Sequence, residues 1–310
     1  ERLRREAAAP PAQPVEPAFP SRPLTLIVPF PAGGPTDRHW RQLAQWAAPV
    51  LGQPFIVENR PGAAGTLALG QMAANARPDG YTLCHFPTGA LRVPLMNRTA
   101  WHPLRDFSFV VGLATLRQGL LVRADSRWRS AGDLVRAAID EPLSYGSVGI
   151  GSGGHLQMEQ LAEATGARFN NVPFKGSGDM LQALLGGHIA AVCDVGGWET
   201  LVEDSKLRLL MTFANRPSRR FPDVPTPQML GWTVAGDLPY GLVAPKGLDA
   251  GVQRTLHDAF RQVMAQPRHD ALMEQLNVDA WPRSSAEFRA WAETRFEQEN
   301  RLLARLGLLA

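Results

Sequence analysis

Short runs rich in valine, isoleucine and leucine alternate with helix-periodic stretches along almost the whole chain, and this alternation limits the possible folds more than any other feature. TLIVPF (25–30) has the length and composition of a strand buried on both faces. FIVEN (55–59), YTLCHF (81–86), FVVGLA (109–114), GLLVRA (119–124), LSYGS (143–147), ARFNNVPF (167–174), IAAVCDV (189–195), LRLLMTFA (207–214) and YGLVAP (240–245) repeat the pattern. Between them lie helical stretches at 38–52, about 67–76, 131–140, 155–165 and 180–185, and beyond 245 the chain reads as nearly all helix. The last helix opens on Ser284 and Glu287, an S-x-x-E capping box. Strand and helix in alternation predict an α/β fold with largely parallel strands. About ten strands are more than one compact sheet ordinarily holds, so two sheets are expected. No long linker separates them. The crossings fall at GLLVRA and YGLVAP, giving a discontinuous first domain (23–121 and 241–310) and a second domain (122–240).

Composition narrows the function. The 310 residues are 45% apolar and 20% charged, with a net charge of +3, an ordinary globular balance. Lysine and arginine are scattered rather than gathered in a stripe, which argues against a nucleic-acid partner. No run of about 18 apolar residues exists to span a membrane. Residues 1–22 are charged, then rich in alanine and proline, and read as a flexible leader without the apolar core of a signal peptide. Cys84 and Cys193 each sit inside an apolar run, and are expected to be reduced, buried and in different domains.

Four loops follow strands and carry glycine or serine into a helix: PFPAGGPTD, GSVGIGSGGH, FKGSGD and CDVGGW. Ligands of open α/β sheets sit beyond such strand ends. Unpaired N–H groups at the helix starts attract anions, and glycine lets a backbone approach one closely. Tight turns also use glycine without any ligand. Gly149, Gly151 and Gly154 spell G-x-G-x-x-G, the dinucleotide fingerprint. The acid that should end the next strand is missing: that strand runs into Phe174 and Lys175, and Asp179 lies inside the following helix. A nucleotide-dependent oxidoreductase is therefore the lesser alternative. The histidines show no H-x-H or H-E-x-x-H spacing, so neither metal nor cofactor is expected. His155 reads as polar packing at a helix start, while Asp37 and Asp194 read as either helix caps or ligand contacts. With no nucleophile, base and orienter to name together, a binding protein fits better than an enzyme.

The segments RPLTLIVPFPAGGPTD, LGQPFIVENRPGAAGT, RPDGYTL, LSYGSVGIGSGGHL, VPFKGSGDMLQALLGGHI and PDVPT, in this order, resemble those of the Bug family. These are the extracytoplasmic solute-binding receptors of tripartite tricarboxylate transporters. The resemblance runs from about Ser21 to the C-terminus. It implies two Rossmann-like α/β domains of periplasmic binding protein type, a ligand cleft between them, a periplasmic location, and membrane transporter subunits as partners of a monomeric receptor. A sensing role feeding a signalling system remains an alternative. The resemblance implies that Phe30, Pro31, Ala32, Gly33, Gly34, Thr36 and Asp37 hold a ligand carboxylate through backbone N–H groups and bridging waters. It implies that Ser147, Gly149, Gly151, Ser152, Gly153 and His155 offer donors from the opposite domain. It also directs Lys175, Gly176, Ser177 and Asp194 at the cleft.

One loop departs from the family pattern. After YTL the family runs through small and hydroxyl residues to Asn-Pro; here CHFPTGALRVP places Val93 at the asparagine and Arg92 beside it, with Thr88 upstream. Arg92 either meets a second ligand carboxylate bidentately or points to solvent. With Lys175 and three helix starts, it would favour a small carboxylate, more readily a di- than a monoacid.

Overall fold

The structure, a computed structural model, describes residues 18–310. Most of the expected leader thus lies outside the described residues, but its last residues are held. Phe19 meets Tyr81 edge-on with ring centroids 5.0 Å apart, and Arg22 pairs with Asp79 at 3.1 Å.

The chain builds β1 (Leu24–Val28), α1 (Pro35–Leu51), β2 (Phe55–Asn59), α2 (Leu67–Asn75), β3 (Thr82–Phe86), α3 (Gly89–Met96) and β4 (Phe107–Leu116). It continues with β5 (Gln118–Arg123), α4 (Ala131–Asp140), β6 (Leu143–Ser147), α5 (Gly153–Thr165), β7 (Phe169–Pro173), α6 (Ser177–Leu185), β8 (Ala191–Asp194), α7 (Glu199–Glu203) and β9 (Leu207–Phe213). It ends with β10 (Leu238–Pro245), α8 (Ala250–Met264), α9 (Pro267–Gln275), β11 (Asp279–Arg283) and α10 (Ser285–Arg305).

Two sheets form, in the orders β11-β4-β10-β3-β1-β2 and β7-β6-β8-β5-β9. The expectation of largely parallel sheets is corrected: β1 is parallel to β2 and β3, and β6 to β7 and β8, but β4, β10 and β11 and likewise β5 and β9 pair antiparallel. The reason is the double crossing. A chain that leaves a sheet along β4 and re-enters it along β10 runs the opposite way on return, and β5 and β9 repeat this in the second sheet. The change of sheet falls at Arg117, with β5 wholly in the second sheet and β10 wholly in the first. The expected boundaries at 121/122 and 240/241 therefore cut through strands. We propose that the domains follow the sheets, with divisions at 117 and between 213 and 238.

Alternation along β1 shows why the first sheet is buried on both faces. Leu24, Leu26 and Val28 pack on one side against Trp40, Leu43, Ala44 and Ala47 of α1 and Phe260 of α8. Ile27 faces the other side, with Leu69 and Met72 of α2, Leu91 of α3 and Phe288 of α10. The spacing of the α1 residues is that of one helical face, and Pro35 at its start and Gly52 in a left-handed conformation just past its end set its limits. Truncating Trp40, which no solvent reaches, costs about 3–5 kcal/mol. The second sheet is likewise sandwiched: Leu120, Val122 and Cys193 face one side, Leu121 and Val192 the other. Cys84 and Cys193 are buried, free and in different sheets.

Three elements were not legible: the short α7, α3 and β11. α3 contains Pro94, and the segment reads as loop. β11 lies in the stretch expected to be helical; it is an edge strand whose pairing shifts register between Ala280 and Arg283, where Pro282 sits, a place that tolerates a missing donor.

Candidate functional site

Where the loops after β1, β3, β6, β7 and β8 converge, they enclose a cavity of about 400 Å³, within the size range of small-ligand sites. Phe30, Pro31, Ala32, Gly33, Gly34, Thr36 and Thr88 line it from the first sheet's side, and Ser152, Gly153, Gly176 and Ser177 from the second's. Leu116, Gln118, Leu238 and Tyr240, on the crossing strands, complete it. The two sides nearly touch: a Cβ on Gly176 would lie 2.8 Å from Pro31 Cγ, and one on Gly196 3.5 Å from Pro35.

The loop after β1 is braced from behind. Val28 ends level with Asn59 of β2, whose amide donates to Phe30 O (3.0 Å) and to Asp37 Oδ1 (2.7 Å). Asp37 Oδ2 accepts from the Gly33 amide at 2.8 Å, and Arg41 Nε donates to both carboxylate oxygens at 3.0 Å. Burial opposes the charge of Asp37, but these donors outweigh it and hold the carboxyl below its ordinary range. Asp37 thus does not line the cavity; it orients the loop that does. Gly34 caps α1 without a side chain, Pro35 has no N–H and the Arg38 amide bonds Gly34 O, so the Thr36 and Asp37 amides are the first-turn donors left uncapped.

The glycine-rich loop after β6 is built differently. Gly149 and Gly151 have φ of +114° and +79°, which side chains disfavour. Gly146 and Gly154 serve packing: a Cβ would meet Met180 Cγ at 2.7 Å and the Cys193 carbonyl oxygen at 2.7 Å respectively. Ser152 caps α5, accepting from the His155 amide at 3.4 Å. Ser147 does not line the cavity, because its hydroxyl donates to Asn171 on β7 at 2.8 Å. His155 is buried; its Nδ1 accepts from the Gly151 amide at 3.2 Å, and burial, with a lesser effect from Arg92, lowers its pKa to about 4. The more open donors on this side are those of α6, whose cap Gly176 offers no side-chain bond. Ser177, Gly178 and Asp179 of its first turn all line the cavity.

Neither expected cation lines this cavity. Arg92 is 1% exposed and forms a bidentate pair with Glu299 of α10 at 3.0 and 2.8 Å. Arg295 joins the same carboxylate at 2.8 Å. Arg92 also donates to Gly151 O at 3.4 Å, so it ties α10 to the glycine loop and is closed off from solvent. Lys175 is exposed and lines a neighbouring hollow together with Gly149.

Asp194 is buried beneath the α6 start. Its Oδ1 accepts from Ser177 Oγ and the Val195 amide, both at 2.8 Å, while Oδ2 has no partner among the described residues. Burial raises its carboxyl to about 7; the two donors oppose this and the nearby Glu199 adds to it. Thr88 donates to Pro239 O at 2.7 Å, joining the α3 start to β10. Gln118 and Tyr240 escaped sequence reasoning because nothing local marks a crossing strand as a cavity wall. Tyr240 commits its hydroxyl to His39 Nδ1, and burial lowers His39 to about 3, which keeps it neutral.

The chain matches a family model described as tripartite tricarboxylate transporter family receptor over residues 40–308. It is 40% identical over 303 residues to the UPF0065 protein in the gbd 5' region of Cupriavidus necator, covering 97% of this chain and 92% of that one. Among solved structures, the periplasmic binding protein BugD superposes with a TM-score of 0.88 at 26% identity, over 94% of this chain and 99% of that chain. MatC from Rhodopseudomonas palustris, solved with bound malate, gives 0.84 at 28% identity, over 92% and 100%. Two α/β domains of the periplasmic binding protein fold, a cavity walled by both, and a family match across most of its length agree: this chain belongs to the Bug-type receptors of the tripartite tricarboxylate transporter family.

Proposed function

We propose that this protein captures a small organic acid in the periplasm and delivers it to the membrane subunits of a tripartite carboxylate transporter. The ligand class is a di- or tricarboxylate or an acidic amino acid. One observation carries the reading: the uncapped starts of α1 and α6, from opposite sheets, open on one cavity whose lining contains no lysine, arginine or histidine among the described residues. Each helix start offers about half a positive charge, with free amides at Thr36 and Asp37 of α1 and in the first turn of α6, so together they match one carboxylate without a cationic side chain. An anion touching both ends binds the closed arrangement better than the open one and favours closure by that difference. The malate held by MatC supports the same class.

A thermal-shift screen of mono-, di- and tricarboxylates, acidic amino acids, neutral sugars and organic cations tests this. A binder at 100 times its Kd stabilises the folded state by about 2.7 kcal/mol, a rise of several degrees. A di- or tricarboxylate should give the largest rise. A sugar or cation as the strongest binder would overturn the reading.

A further inference from the structure

Of the crossing-strand residues that wall the cavity, Leu116 and Leu238 are apolar and Tyr240 commits its hydroxyl to His39. Gln118, at the start of β5, differs. It is 2% exposed, and its two amide atoms have opposite situations. Oε1 is taken: Cys193 Sγ donates to it at 3.3 Å. Burial pushes the Cys193 thiol well above its ordinary pKa, so the sulfur keeps the proton it donates. Gln157 stands behind the same sulfur. Its Nε2 donates to Ala235 O and Gly236 O at 3.2 and 3.1 Å, and its Oε1 lies farther off, 3.9 Å from Cys193 Sγ. Nε2 of Gln118, by contrast, donates to no group among the described residues, and it is not enclosed as the orphaned His85 Nε2 and Tyr145 Oη are. A largely buried amide nitrogen without an acceptor is costly, and a ligand oxygen would relieve it.

The start of α5 lies across this amide. A Cβ on Gly154 would sit 3.2 Å from Gln118 Oε1, and one on Gly153 3.1 Å from Nε2 and 2.4 Å from Leu238 Cδ1. Gly153 lines the cavity, and its φ is not positive. Space, rather than backbone conformation, therefore calls for glycine there, and that space leaves Nε2 uncovered on the cavity side. We propose that Gln118 is a specificity-determining residue: its Nε2 donates to a ligand oxygen away from the carboxylate on the α1 and α6 starts, and Cys193, as a positioning residue, keeps Oε1 turned away. The wall then presents a donor and withholds an acceptor, so it accepts a carboxylate or carbonyl oxygen and refuses an ammonium group. This rests on the carboxylate reading of the cavity and divides its ligand class by hydrogen-bond polarity.

Calorimetric titration with linear acids of four, five and six carbons tests it, each length carrying a carboxylate, a methyl or an ammonium group at the far carbon. On the unsubstituted chain the best diacid should bind about 10-fold tighter than the methyl acid of equal length, with the ammonium acid weakest. Gln118→Leu should bring diacid and methyl acid within about threefold of each other. Gln118→Glu, equal in size, exchanges the donor for an acceptor and should reverse the order in favour of the ammonium acid. Cys193→Ala frees Oε1 and should narrow the diacid-to-ammonium ratio about threefold, and Cys193→Ser, which restores a donor, should recover it. A merely structural effect of these variants would lower all affinities together and leave the ratio unmoved. Preference of the unsubstituted chain for an ammonium acid, or a ratio that neither Gln118 variant moves, overturns the assignment while leaving the carboxylate reading in place. Failure of every acid to bind the unsubstituted chain overturns both.

Discussion

The loop after β1 and the loop after β6 look alike in sequence, each glycine-rich between a strand and a helix, yet the structure uses them in opposite ways. The first is held by side chains behind it, Asp37 and Asn59, and turns bare backbone toward the cavity. The second uses its glycines for tight packing and positive φ, at 146, 154, 149 and 151, and only Ser152, Gly153 and neighbouring Val148 reach the cavity. The open donors of that side come from the less conspicuous α6 start. Glycine density therefore marks where backbone must pack closely. Whether a ligand lies there depends on which amides remain unpaired.

Arg92, which ties α10 to the second loop, gives the largest expected effect. Arg92→Met leaves the buried Glu299 with Arg295 alone, removing one of the two guanidinium groups that hold its carboxyl low against burial. Breaking a buried pair costs about 3–5 kcal/mol, readable by urea denaturation. The double variant Arg92→Met, Glu299→Leu should recover most of that loss; if it does not, packing rather than charge holds this junction. Gly154→Val comes next, because its Cβ meets a backbone oxygen that cannot swing aside. Overpacking there should cost about 3 kcal/mol, and a loss below about 1 kcal/mol would break the packing account of the second loop.

Asp37→Ala tests the brace of the first loop. It leaves the Gly33 amide without its acceptor and should lower stability by about 2 kcal/mol and weaken carboxylate binding, read by denaturation and calorimetry. Unchanged affinity would mean that the loop holds its shape unaided.

Asp194 separates the two sides by pH. Its folded pKa, about 7 against an ordinary 3.8, is raised. The folded chain therefore keeps a proton that the unfolded chain releases, and stability is lost as pH rises from about 4 to 7. Asp194→Asn removes that loss. It should gain roughly 1–2 kcal/mol on the unsubstituted chain at pH 8 and little at pH 4. A gain independent of pH would contradict the raised carboxyl. The smallest effect belongs to Gly178→Ala, in the first turn of α6 with nothing within 4 Å of the new Cβ. It should gain up to about 1 kcal/mol.

Much of the fold was legible because periodicity is local: the strands of the parallel halves, α1, α4 and the Ser284–Glu287 capping box each declare themselves within a few residues. What failed was non-local. Arg92 and Glu299 are 207 positions apart, and nothing near Arg92 names its partner. The antiparallel pairing of β4 with β10 follows from a double crossing that no local pattern records. Within the site, the β1 and β7 loops could be named from their glycines. Gln118, Leu116 and Leu238 could not, since a strand passing between two sheets reads like any other buried strand.

The central claim is that one carboxylate is held by backbone from both sheets, between the α1 and α6 starts. A crystal structure with the tightest-binding acid tests it most directly. The account predicts carboxylate oxygens within about 3.2 Å, directly or through one water, of amides in the first turns of both α1 and α6. A carboxylate held instead by lysine or arginine side chains, or by one sheet's loops alone, would contradict it.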